Sequence, residues 1–306
     1  MKVHFANELE RLAANDSRVV LVTGDLGFGA FEGFQERFPK QYLNVGVAEQ
    51  NMIGVSTGLA LSGFIVFAYS IGNFSTLRCL EQIRNDAAYH RANVKVVAMG
   101  GGFSYGPLGM SHHATEDIAV MRAIPEVLTL APGSTRNVGE CMTILASHQG
   151  TGYLRLDKSF ADLEHDSVPF KFGTWPVLRE GPRATLVSVG GILAEVLDAA
   201  DTLASEGVFC RVVNAVQLSQ IQPESIGDSL GDAKHIFTVE EHVRAGGLFG
   251  LVSESIARLR MSREVVALSI GDEFETSVGS QAYLRTQHEL SAHQIAETVR
   301  SLVSQT

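Results

Sequence analysis

Glu49 is the ionisable residue whose surroundings least suit a charge. It lies in Asn44-Val45-Gly46-Val47-Ala48-Glu49-Gln50-Asn51-Met52, and Met52, Ile53, Val55, Leu59 and Leu61 then predict a largely buried helix over 49–61. An unpaired carboxylate in such a place costs several kcal/mol unless it is protonated or paired. On the residues alone it is either a first-turn acid favoured by the positive end of the helix dipole or a functional acid that manages a proton in a dry site. The pair His112-His113, after Gly109-Met110-Ser111, offers a side chain that changes charge near neutrality, against the plainer role of a surface or capping histidine. Two glycine clusters, Gly24-Asp25-Leu26-Gly27-Phe28-Gly29 and Gly100-Gly101-Gly102, follow expected strands. Neither has the G-x-G-x-x-G order opening into a helix, and no Walker A loop is present. These glycines suit tight turns at the carboxyl ends of parallel strands, where ligands bind in such sheets. Cys79, Cys141 and Cys210 lie far apart with no C-x-x-C spacing, and are expected to be small buried apolar residues.

These residues need a scaffold, and the chain predicts an α/β one. Short β-branched runs at 19–22, 64–69, 94–98, 127–130 and 153–156 alternate with helical patterns at 49–61, 77–89 and 135–147. A polar stretch over 159–183, with Pro169, Pro176 and Pro182, reads as a linker. A second alternation follows, with strands at 184–189, 209–213, 235–239 and 265–269 and helices at 194–205, 248–259 and 292–302. The expectation is two domains, 1–158 and 184–306, each a mostly parallel sheet flanked by helices. The 306 residues, 45% of them apolar, suffice for two buried cores. A net charge of −10 argues against a nucleic-acid partner, which would select basic stripes. No apolar run reaches the roughly 18 to 20 residues that span a bilayer, and the start, with Lys2, His4 and Glu8, lacks an apolar signal core. The expected location is the cytoplasm.

Taken together, three segments resemble the transketolase family in order and spacing. They are Gly46-Val47-Ala48-Glu49-Gln50-Asn51-Met52; Phe74 leading through Arg78 into Glu81-Gln82-Ile83-Arg84-Asn85; and Gly109-Met110-Ser111-His112-His113 before Glu116-Asp117-Ile118-Ala119. The second half continues the likeness, with Val239-Glu240-Glu241-His242 running into Gly246-Gly247, and Ile270-Gly271-Asp272-Glu273-Phe274 before a final helix. The resemblance implies the pyrimidine-binding and C-terminal domains of a thiamin diphosphate enzyme. Glu49 matches the glutamate that hydrogen-bonds a ring nitrogen of the cofactor's aminopyrimidine, promoting the tautomer that deprotonates the thiazolium carbon. Phe74 matches the aromatic that packs on the pyrimidine, unless it is simply a core phenylalanine. Ile71 and Arg78 fall in the same cofactor-binding segment, and His112 matches a loop histidine near the reacting oxygen, with His113 beside it.

The diphosphate in this family is anchored through a divalent metal, Mg²⁺ or Ca²⁺, by a G-D-G segment followed by asparagines, and no segment here fits it. The resemblance therefore implies a split enzyme. A separate N-terminal-type subunit would hold the metal, in a two-plus-two heterotetramer that transfers a two-carbon ketol unit, or an acyl unit, to a carbonyl acceptor. Several substrate positions depart from the pattern. Gly100 stands where a histidine is expected, twelve positions before His112, and Leu108 where an aspartate is expected, four positions before it. Lys2 and Lys158 stand for two phosphate-binding arginines, with Arg155 available to compensate. A leucine facing a bound hydroxyl would strand that group at about 1–3 kcal/mol, so an acceptor other than a standard aldose phosphate is expected. Two other readings are a β subunit of a 2-oxo acid dehydrogenase and a non-catalytic partner subunit. The His112-His113 loop and Glu49-Gln50-Asn51 weigh against the first, and the retention of Glu49, Phe74 and His112 together against the second.

Overall fold

The computed structural model describes residues 1–163 and 168–304; residues 164–167 of the expected linker and 305–306 of the expected second domain lie outside the described residues. The first sheet contains β1 (Val19–Thr23), β2 (Tyr42–Asn44), β3 (Ile65–Ile71), β4 (Val94–Met99), β5 (Leu128–Leu130) and β6 (Gly152–Leu156). Their order is β2-β1-β3-β4-β6-β5, with every pairing parallel. Strands β1, β4 and β6 are buried at every position because helices cover both faces. Helices Lys2–Asn15 and Thr135–Ser147 cover one face through Phe5, Leu9, Val138 and Leu145. On the other, helix Glu49–Leu61 contributes Met52 and Ile53, joined by Ile83 and Ala87. All three cysteines are buried in these cores or their counterparts in the second sheet, as expected. Because β2 and β3 flank β1 on opposite sides, the winding reverses at β1 and leaves a crevice between the carboxyl ends of β1 and β3.

The second sheet contains β7 (Val177–Pro182), β8 (Thr185–Ser188), β9 (Cys210–Asn214), β10 (His235–Val243) and β11 (Glu264–Ile270), in the order β11-β10-β8-β9-β7. All its pairings are parallel except β7 with β9. Strand β7 corrects the linker expectation over 159–183. Its residues Arg179, Glu180, Gly181 and Pro182 read as loop because it is a half-exposed, irregular edge, the place where proline and charge are tolerated in a sheet. The single helix expected over 77–89 is also corrected. The chain there runs as a 3₁₀ turn at Leu77–Cys79, one α turn, and a π turn at Ile83–Ala88, with Tyr89 N–H donating to Arg84 C=O at 3.1 Å. Among the described residues no helix is long and apolar enough to cross a membrane.

The two sheets are joined by buried charge. Glu241, on β10 and 3% exposed, accepts from the backbone N–H of Phe103 at 3.2 Å and from Gln281 Nε2 at 2.9 Å, and pairs with Arg285. Its carbonyl accepts from Arg155 Nη2 at 3.0 Å. Arg155, 1% exposed on β6, also pairs with Asp117 at 3.1 Å, and Asp117 accepts from Tyr153 Oη at 2.5 Å. Burial opposes the charge on Arg155, but Asp117 and Asp157 outweigh it and hold the guanidinium charged. Backbone bonds from Ala131 N to Val216 O and from Leu218 N to Thr129 O add a second seam. Removing one partner of a buried pair strands the other, which costs about 3–5 kcal/mol. Glu241→Ala should therefore lower unfolding free energy by about that amount in urea titration. Glu126→Ala, which breaks the exposed pair with Arg91, should leave it within experimental scatter.

Candidate active site

Glu49 opens its helix at the mouth of the crevice, where the chain from β2 crosses β1 towards β3. The entry is fixed by a side-chain staple. Asn44 Oδ1 accepts from the backbone N–H groups of Asp25 at 3.0 Å and Gly46 at 2.9 Å, while its amide donates to Asp25 Oδ1 at 2.9 Å. Gly24 lies beside the acid, where a Cβ would sit 3.4 Å from Glu49 Cγ, in ordinary van der Waals contact. The carboxylate is 2% exposed, as the apolar context of its segment predicts. One oxygen pairs with Arg78 Nη1 at 2.8 Å; the other accepts a long 3.3 Å bond from Ser70 Oγ, at the end of β3. Arg78 is 46% exposed, so it brings its charge from the solvent side onto the buried acid.

The same guanidinium lies 4.2 Å from the centre of the Phe74 ring, a cation–π contact that orders it. Phe74 sits in the one-turn helix Gly72–Ser75 directly after Ile71, the last residue of β3. The His112 and Phe74 rings meet edge to face, with centroids 5.0 Å apart. His112 Nδ1 shares a hydrogen bond with Ser111 Oγ at 3.0 Å. Burial, the neighbouring His113 and the charge of Arg78 push the His112 pKa down, so its ring is neutral at neutral pH. Glu49, Arg78, Phe74 and His112 thus form one continuous wall, in which a buried acid, an aromatic surface and a neutral imidazole are available together.

The substrate positions expected from the sequence divide. Lys158 joins the wall, its ammonium 3.8 Å from the Tyr105 ring centre, and the Tyr105 ring lies 6.4 Å from that of His112. Gly100 is also there, at a φ of +102° in the turn after β4. Leu108 is 55% exposed on the loop beside Met110. His113 turns inward instead, against Phe103 and near Gly106 C=O, and does not share the surface of His112. Arg155 is the correction: its guanidinium is enclosed with Asp117 and Glu241 and is not free to meet a substrate. Ser70 and Tyr105 were missed from the sequence. Ser70 could have been found as a polar residue ending an apolar strand, and Tyr105 as an aromatic inside a glycine-rich loop.

Residues 1–161 match the family model described as the pyrimidine binding domain of transketolase, and residues 173–295 match the transketolase C-terminal domain. The chain belongs to the transketolase family. This transketolase chain is 33% identical over 270 residues to an apulose-4-phosphate transketolase subunit from Actinobacillus succinogenes, covering 88% of this chain and 87% of that one. It is 30% identical over 305 residues to the 6-deoxy-6-sulfo-D-fructose transketolase subunit SqwH of Clostridium sp., covering 97% and 92%. Its backbone matches a solved split gene transketolase, described as an inactive beta4 tetramer, with a TM-score of 0.88, 31% identity, and coverage of 98% and 97%.

The electrostatic part of the site can be read directly. The His112 ring should titrate below the ordinary value near 6.5 in an NMR pH series on the chain. Arg78→Ala should move its midpoint upward, because a repelling charge is removed; an unchanged midpoint would separate Arg78 from the imidazole.

Proposed function

We propose that this chain is the second-half subunit of a split, thiamin diphosphate-dependent transketolase, and that the buried carboxylate of Glu49 beside the Phe74 ring carries its chemistry. A separate subunit would supply the diphosphate anchor and its Mg²⁺ or Ca²⁺. The residues present fit an aminopyrimidine. A carboxylate with one long, weak contact at Oε1 is placed to meet a ring nitrogen, and an adjacent aromatic surface to pack on a flat ring. Bound thiamin diphosphate would supply the carbon nucleophile and electron sink that carbon–carbon cleavage requires. This chain's own residues would then hold and move protons. Glu49 keeps a proton at the ring nitrogen in a dry crevice, where a carboxylate is strongly felt. Arg78, now paired with Glu49 and laid on Phe74, orients both. His112, neutral at working pH, gives or takes a proton at the reacting oxygen of the substrate.

The transferred group is a two-carbon ketol unit, or an acyl unit, and the acceptor a carbonyl compound. Two relatives are named for a sugar phosphate and a sulfonated sugar. Lys158, which makes no ion pair with a described residue, supports a substrate with such an anionic terminus here. Leu108 and Gly100 direct it away from the hydroxyl contacts of standard aldose phosphates. The description of a solved β-chain tetramer as inactive supports the need for a partner, and a two-plus-two assembly follows if each half-site must meet its complement across a twofold axis.

Two measurements test the reading. Calorimetry on the chain alone should show only weak binding of thiamin diphosphate with Mg²⁺, and binding with micromolar affinity should require the partner subunit. In the reconstituted complex, Glu49→Gln should leave assembly intact and reduce turnover by about 10²–10⁴. Activity within tenfold of the parent would remove Glu49 from the mechanism.

A further inference from the structure

The sequence leaves a gap at position 100, where a side chain is expected and glycine is found. In the structure that space is filled by another residue. A Cβ built on Gly100 would lie 2.3 Å from both Cδ2 and Cε2 of Tyr105, so the aromatic ring lies directly on the glycine. The φ of +102° disfavours a side chain at Gly100 independently of this contact. Gly100 and Tyr105 are thus one feature, with a side chain withdrawn from one position and a larger one inserted from another.

Tyr105 is held firmly in that place. Its carbonyl accepts from Leu108 N–H at 2.9 Å, and Gly106 N–H donates to Phe103 C=O at 2.8 Å, closing successive tight turns around it. On the other side of the loop, the backbone N–H of Lys158 donates to Ser104 Oγ at 3.2 Å, and its ammonium rests 3.8 Å from the Tyr105 ring centre. The phenol oxygen makes no hydrogen bond to any described residue. Burial raises its pKa, so it remains a neutral O–H donor. Lys158 makes no ion pair among the described residues, and both burial and the charge of Lys2 lower its pKa, the mark of a cation without a counterion. A donor without a partner and a cation without an anion therefore stand side by side, next to His112.

We propose that Tyr105 is a specificity-determining residue of this site: its ring closes the space above Gly100, and its hydroxyl, together with the Lys158 ammonium, receives an anionic terminus of the substrate. This rests on the transketolase reading of the site. It changes what the glycine means. At position 100 the acceptor end has not lost a polar contact; it has exchanged the expected imidazole for a phenol set against an ammonium. A phenol is a rigid donor with no cationic form, so it selects by geometry and leaves the charge to Lys158.

The test uses the reconstituted complex with thiamin diphosphate and Mg²⁺, comparing D-glyceraldehyde with D-glyceraldehyde 3-phosphate as acceptors. Tyr105→Phe keeps the ring on Gly100 and under Lys158 but removes the hydroxyl. It should lower the ratio of kcat/KM values, phosphate over uncharged, by about tenfold, as expected for one hydrogen bond to a charged group. An unchanged ratio in Tyr105→Phe overturns the proposal, as does a wild-type complex that prefers the uncharged aldehyde. A complex that uses neither aldehyde also overturns the proposal, whereas one that cleaves no ketose or 2-oxo acid donor overturns the parent reading instead. A second arm needs no activity: Gly100→Ala should lower the Tm of the chain far more in the wild-type background than in Tyr105→Val. Equal losses in the two backgrounds would show that the ring does not occupy the space above Gly100.

Discussion

The loop that carries half of the site depends on one buried carboxylate from the other domain. Glu241 enters beneath the loop that follows β4, where its side chain would lie 2.3 Å from a Cβ at Gly102. A Cβ at Gly101 would likewise meet Arg155 and Asp157. The three consecutive glycines are thus pressed from three directions, by the Tyr105 ring, by the Arg155 and Asp157 side chains, and by an interdomain acid. A desolvated acid is tolerable only when its partners are fixed, and here they are Arg285, Gln281, the Phe103 amide and the neighbouring Arg155. The requirement runs both ways. The loop cannot move without exposing a buried charge, and the second domain cannot shift without releasing the loop that carries Tyr105 and His112.

That arrangement assigns separate tasks to the two halves of the chain. The first sheet provides a crevice by reversing its winding at β1, and the ends of its strands deliver Gly24, Ser70 and the turn into Phe74. Among the described residues the second domain contributes no side chain to the wall from Glu49 to Lys158, yet it clamps the loop on which half of that wall stands. Glu116-Asp117-Ile118-Ala119, which looks like part of a catalytic motif, serves this clamp: Asp117 faces Arg155 and Tyr153, and Ala119 N–H donates to His242 Nε2 at 3.3 Å. Burial pushes the His242 pKa down to about 4, so this imidazole stays neutral and can accept that bond at any working pH.

How much of this was legible in the sequence depended on how local each signal was. Glu49 could be read because a carboxylate opening an apolar helix is already improbable within nine residues. The parallel sheets could be read because buried strands are short, branched and regularly spaced. Strand β7 could not, since an edge strand looks like the loop it borders. Arg155 was misplaced because its spacing from Lys158 says nothing of which face of β6 it occupies, and its partners lie 38 residues before it, at Asp117, and 86 residues after it, at Glu241. Tyr105 escaped for the same reason: a contact between a glycine and a ring five residues later belongs to the path of a loop, which no periodicity encodes.

The π turn at Ile83–Ala88 carries a consequence of a different kind. Cys79, Ile83, Ala87 and Ala88 anchor this segment in the core, while Arg78, one turn earlier, must aim at Glu49. An α-helix advances about 100° and 1.5 Å per residue, so the widened turn acts as a phase adjustment between the two ends. With one residue fewer, the segment could wind as regular α-helix, but either its apolar stripe would rotate out of the core or Arg78 would swing away from the acid. Segment length here is therefore constrained like a reading frame. Substitutions can be absorbed singly, whereas the smallest deletion would uncouple packing from the electrostatics of the site.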